Sequence, residues 1–182
     1  MNSATDFQRT NFNRWIRDPI CNLSRQKHTG FAVAMIAFPI LERWIRGRIG
    51  IKDRPLRDSD GDQFYGELAA QFPALRDPAD GSFPHAAKSF WQAFRNGILH
   101  QVAFSTKPIK AHVNMQPLFC AFLEQLTVPI VLTSPPPTFL LNPHAFAQAV
   151  LSIIEADFSS YESADPEHHK LAFSIGRTTF AL

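Results

Sequence analysis

Three polar side chains crowd the segment Ser89-Phe-Trp-Gln-Ala-Phe-Arg-Asn-Gly-Ile-Leu-His-Gln101, namely Arg95, Asn96 and His100. Histidine is the one side chain whose ordinary pKa, about 6.5, lets it take and give a proton near neutrality. Arginine stays charged, and its planar fork can grip a phosphate through two parallel hydrogen bonds. An asparagine beside them can orient the imidazole or bond a phosphate oxygen. In a helix Asn96 and His100 are four apart and share a face. Arg95 is five from His100, so its long stem must swing for the two to meet. The chemistry these groups could do is proton transfer next to a phosphoryl group, with no metal required.

Such groups need a rigid carrier. Ala87, Phe90, Trp91, Phe94 and Ile98 recur at helical spacing and form one apolar face, so the segment reads as the C-terminal half of a buried helix. Gly97 costs such a helix about 1 kcal/mol relative to alanine and leaves a bare patch that another backbone or a ligand can approach. Residues 73–83, with Pro73, Pro78, Asp80 and Gly81, form a loop directly before the helix, and Ser82 or Phe83 followed by Pro84 starts it. Loops in that position often carry substrate-gripping groups, although a plain connector is the simpler expectation.

Arg95-Asn96-Gly97-Ile98-Leu99-His100 resembles the motif of the HEPN superfamily, helical proteins many of which are metal-independent ribonucleases: an arginine, a polar residue next, then a histidine, here with four residues between Arg95 and His100. The resemblance covers residues 20 to 160 as a helical pattern, but only the hexapeptide is specific. It implies an all-α, HEPN-like bundle of four to five helices and an endoribonuclease in which Arg95, His100 and Asn96 are the catalytic set. The 2′-hydroxyl of RNA would attack the adjacent phosphate and leave a 2′,3′-cyclic phosphate and a 5′-hydroxyl. DNA lacks that nucleophile. It further implies a homodimer in which two motifs meet across a two-fold axis to form one cleft, and a toxin or antiviral defence effector, with an antitoxin or regulatory protein as a further partner. The competing expectation is a non-catalytic HEPN-like helical module that dimerises or binds RNA or protein. In that case His100 is a hydrogen-bonded core residue and Arg95 pairs with Glu42, Glu67 or Glu124.

The rest of the chain supplies the frame. Phe7, Phe12, Trp15, Ile16, Ile20 and Leu23 predict an amphipathic helix, or two short ones broken at Asp18-Pro19, with Arg9, Arg14, Arg17 and Arg25 on the wet side. After Thr29-Gly30, Phe31 to Arg48 reads as the main hydrophobic helix. It should be bent at Pro39 and end with Arg43, Arg46 and Arg48, where the helix dipole favours cations. Glu42 precedes Arg46 by one turn, the spacing of a surface ion pair. Residues 51–61 are a charged loop. Asp60 or Asp62 is expected to cap a short helix with Phe64, Leu68 and Phe72 as its buried stripe, stopped by Pro73. Beyond the motif, Pro108 breaks residues 101–110, and Met115 to Leu126 predicts a helix burying Leu118, Phe119 and Phe122. Val128–Thr133 and Thr138–Leu141, joined by Pro135-Pro136-Pro137, predict a small β-hairpin. Asn142-Pro143 signals a cap, and one long helix is expected from His144 to Tyr161, with Phe146, Val150, Ile153, Ile154 and Phe158 on one face. Residues 1–162 form the helical domain, and 163–182 a tail that packs on it or on a partner chain.

The chain has 182 residues, enough for one domain with a real core, and its 17 phenylalanines are the material for that core. Net charge is only +2, but residues 1–57 hold eleven Lys/Arg against four Asp/Glu, while 58–182 hold seven against twelve. That split suggests a basic face suited to phosphates. Cys21 and Cys120 lie far apart, without a zinc or disulfide pattern, which is what a reducing compartment would give. The polar start lacks the order of a signal peptide, and the apolar run Phe31–Leu41 is too short to cross a bilayer, so a cytoplasmic location without membrane attachment is expected. His168-His169 beside Asp165 and Glu167 lack a spaced second pair, so no metal site is expected. Glycine-rich phosphate loops and a G-x-S-x-G elbow are absent, and no cofactor is expected.

Overall fold

A computed structural model describes residues 4–51, 57–79, 85–95, 119–133 and 137–163. Among these the chain is mainly helical, with a small three-stranded sheet. Helix α1 spans Ala4–Phe12 and runs through a wider π-type turn at Asn13–Arg17 into α2, Asp18–Leu23. The break at Asp18-Pro19 is thus a change of winding, with Pro19 just after the π-type turn. The extra residue in the π-type turn shifts the apolar stripe. Phe12 and Ile20 are buried, but Phe7 and Trp15, which the spacing places on the same face, are 52% and 62% exposed.

Helix α3, Gly30–Arg48, is the central rod, and Val33, Ala34, Ala37, Phe38, Leu41 and Ile45 along it are fully buried. It continues through Pro39, which lies on its exposed side. Helix α4, Gly61–Gln71, buries Phe64 and Leu68 and ends at Phe72 before Pro73, as the sequence predicts. Asp60 precedes it but does not cap it: its carboxylate accepts the Arg57 N–H at 2.7 Å instead. Helix α5, Ala86–Trp91, starts after a left-handed His85, and both Asp77 carboxylate oxygens accept N–H groups there, from His85 and Ala86.

The expected helix over Met115–Leu126 is corrected by the structure. Phe119–Phe122 is a strand, β1, and residues 115–118 lie outside the described residues. The hairpin is present as β2, Ile130–Thr133, antiparallel to β3, Thr138–Leu141, and β1 pairs parallel to the other side of β3. A short apolar run fits helix or strand equally by pattern. Here the open edge of β3 decides, because it offers backbone partners that a one-turn helix would not have.

Asn142 and Pro143 open α6, Pro143–Ala156, as the sequence predicts. The side chain of Asn142 accepts the N–H groups of His144 and Ala145 and donates to the carbonyls of Glu124 and Leu126, tying the sheet to the helix. The single helix expected up to Tyr161 is two. Asp157 leaves helical geometry, and its carboxylate accepts from Ser159 Oγ, Ser160 N–H and Ser160 Oγ, starting α7, Phe158–Ser163. A carboxylate of that kind competes with the helix for backbone donors. Helix α7 lies on α3. Arg43 Nε donates to the Tyr161 carbonyl at 2.9 Å, Trp44 Nε1 donates to the Asp157 carbonyl at 3.0 Å, and at Gly47 a side chain would overlap the Ser160 carbonyl oxygen. The tail 164–182, including His168-His169, lies outside the described residues.

Candidate functional site

The arginine of the motif directly follows Phe94, a member of an aromatic cluster. Phe38 of α3 meets Phe90, Trp91, Phe94 and Phe146, with ring centroids 4.8–6.5 Å apart. Phe94 also stacks on Phe122 of β1 at 6.0 Å, and Phe90 meets Phe139 of β3 edge-on at 5.5 Å. Each fully buried phenylalanine contributes about 1.5–3 kcal/mol. The segment leading to Arg95 is therefore anchored through Phe90, Trp91 and Phe94 against α3, α6 and the sheet, as their apolar spacing predicts.

Residues 92–95 continue α5 as a π-type turn, which carries Arg95. Its Nε and Nη2 both reach Glu42 Oε2, at 2.9 and 2.8 Å. The other oxygen of that carboxylate lies 3.9 Å from Arg46 Nη1. The Glu42 side chain is 14% exposed, and those of Arg46 and Arg95 are 24% exposed. Of the three acids that could have taken Arg95, the fold selects Glu42. Glu67 faces Arg48 and Gln71, and Glu124 faces His144. The expected Glu42–Arg46 pair is the looser of the two contacts. Asn96 and His100 lie outside the described residues.

A second feature lies outside the motif. A cleft of about 660 Å³ opens between α4 and the start of α5. Its floor includes Phe64, Leu75 and Ala87, and its rim carries Arg57, Arg76 and Lys88. None of these three side chains has an ion-pair partner among the described residues. Asp62 and Asp77 also line it, but both oxygens of Asp77 are engaged by backbone N–H groups. Gln92 also lines it, three residues before Arg95 in the chain. The signal in the sequence was the basic residues of the two loops flanking α4, Arg57 and Arg76, which no local pattern connects.

Other chemistries are less well served. Burial pushes the Cys120 thiol up to about 12, which leaves it protonated and a poor nucleophile at neutral pH. Among the described residues no group of three His, Cys, Asp or Glu could hold a metal ion, and no helix is long and apolar enough to cross a membrane. Comparison with family models, curated proteins and solved structures returns no match.

Proposed function

We propose that this chain is a metal-independent endoribonuclease of the HEPN type, acting as a homodimer, with RNA as substrate. In that reading His100 accepts the proton of a ribose 2′-hydroxyl as its oxygen attacks the neighbouring phosphorus. The P–O5′ bond breaks, and the 5′-oxygen leaves with a proton from the second imidazole of the paired motifs. Arg95 stabilises the charge that grows on the non-bridging oxygens, and Asn96 orients the imidazole or the phosphate. The observation that supports it is the setting of Arg95. Its guanidinium is held by two contacts to one carboxylate oxygen, and its side chain is 24% exposed. A donor fixed in advance loses little on meeting its anion. A toxin or defence effector controlled by an antitoxin, working in the cytoplasm, is the role such a nuclease would fill.

The Glu42–Arg95 pair also favours a second reading, in which Arg95 is a strut between α3 and α5 and the chain is a non-catalytic helical module that dimerises or binds RNA or protein. The deciding experiment incubates total RNA in EDTA with wild type, His100→Ala and Arg95→Ala, each checked for folding. The nuclease reading expects cleavage by wild type only, with 2′,3′-cyclic phosphate ends. Equal cleavage by all three, or none by any, overturns it.

A further inference from the structure

The cleft between α4 and α5 is built more openly than packing requires. Gly66 sits in the middle of α4 on the cleft wall, exposed, and a Cβ there would meet nothing within 4 Å. A glycine in mid-helix is costly, and no close neighbour here demands it. Its effect is to keep the groove wide. Tyr65 next to it is half-buried, with its ring edge-on to Phe64 at 5.5 Å and lying against Gly61. The loops that present the cations are pinned: the nearly buried Asp60 carboxylate holds the Arg57 N–H, and Asp77 holds those of His85 and Ala86. An apolar floor, a half-buried aromatic ring and three cations without an ion-pair partner among the described residues form the surface that a base and its flanking phosphates require. A duplex would present only its phosphates and leave the floor and Tyr65 unused.

From this we infer that the cleft is a binding groove for single-stranded RNA. Tyr65 stacks a base, and Arg57, Arg76 and Lys88 take phosphates. Lys88 and Gln92 line one wall, and Arg95 follows Gln92 by three residues in the chain. The groove serves the proposed nuclease site and rests on that reading for its purpose, although binding can be tested apart from cleavage.

The test is fluorescence anisotropy with a labelled single-stranded oligoribonucleotide and the full chain carrying His100→Ala, in EDTA, over a range of salt. Each phosphate contact on a single strand adds about 0.7 to the slope of log affinity against log salt, so removing Arg57, Arg76 and Lys88 together should lower the slope by about 2. Tyr65→Ala should weaken binding about tenfold. Gly66→Leu, which favours the helix but fills the groove, should weaken binding while Tm stays level or rises. Arg17→Ala, which loses only a surface pair with Glu155, is the control and should change neither. An unchanged salt slope in the triple variant overturns the inference. So does full affinity in Gly66→Leu, an equal affinity for duplex RNA, or displacement of the strand by a polyglutamate peptide at equal charge. Binding that follows these expectations without any cleavage by wild type supports the groove and sinks the nuclease reading alone. Cleavage by wild type that none of these groove variants alters overturns the groove alone.

Discussion

Replacing Glu42 with glutamine separates the two roles open to Arg95. The carboxylate oxygen now accepts from Nε at 2.9 Å and from Nη2 at 2.8 Å. A hydrogen bond to a charged group contributes about 1.5–3 kcal/mol net, and a neutral one about 0.5–1.5. Glutamine keeps a carbonyl for Arg95 but loses the charge, so Glu42→Gln should cost about 1–2 kcal/mol after allowance for the partial exposure of both groups. It also leaves Arg46 and Arg95 facing each other without an anion between them. For a chain of this size that loss is about 2–8 °C in Tm. A double-mutant cycle with Arg95→Ala, followed by urea unfolding, should return a coupling of about 1–2 kcal/mol. Cleavage provides the second axis. If Arg95 stabilises the transition state, Arg95→Ala loses about 10²–10³ in rate, whereas Glu42→Gln, which retains the guanidinium, loses far less. A coupling below about 0.5 kcal/mol refutes the claim that Glu42 holds Arg95. Equal falls in rate for both variants refute the claim that Arg95 acts on the phosphate.

Three further outcomes follow from the frame. Gly47→Ala places a methyl group on the Ser160 carbonyl, which is backbone and cannot rotate away, so it should cost more than about 3 kcal/mol and shift the fluorescence of Trp44 as α7 lifts. Asn142→Ala removes a helix cap and two bonds to carbonyls, a loss of about 2–3 kcal/mol by chemical denaturation, and Asn142→Ser should recover the cap share alone. The Asp157 carboxyl titrates below its usual range, chiefly because the Ser160 hydroxyl donates to it, with help from Ser159 and Arg48 against the opposing effect of burial. A depressed carboxyl contributes stability above the unfolded pKa of about 3.9 and loses it as pH falls through the folded value. The stability deficit of Asp157→Asn relative to wild type should therefore shrink from about pH 5 down to about pH 2 in urea titrations, and a constant deficit would count against this account.

Helices with long apolar periods were legible from the residues alone. Val33, Phe38, Leu41 and Ile45 mark α3, and Phe64 and Leu68 mark α4, because a face repeated over several turns outweighs any local ambiguity. The Asn142-Pro143 start was equally clear, since the cap and the proline each have one physical reason to be there. Strand β1 was not. Phe119–Phe122 is too short for its period to be read, and what makes it a strand is β3, distant in sequence. The split at Asp157 rests on three donors gathered by one carboxylate, and the exposure of Trp15 on one residue added to a turn. At the site, the aromatic cluster around Phe90 and Phe94 could be read from spacing, and Glu42 was among the foreseeable partners of Arg95. The cleft could not be read, because Arg57, Arg76 and Lys88 come from three separate segments that only the tertiary fold brings to one rim.

The clasp between α3 and α7 has a consequence for how this protein tolerates change. Arg43, Trp44 and Gly47 all meet α6 and α7 at peptide oxygens, those of Tyr161, Asp157 and Ser160, and every residue type carries such an oxygen. This part of the contact is blind to the identity of the residues on the receiving side. Substitutions at Ser160 leave the carbonyl that Gly47 meets in place and remove only the hydroxyl that donates to Asp157. A saturation library scored for folded yield should show Gly47 nearly immovable, while its opposite number Ser160 loses no more than one hydrogen bond to Asp157.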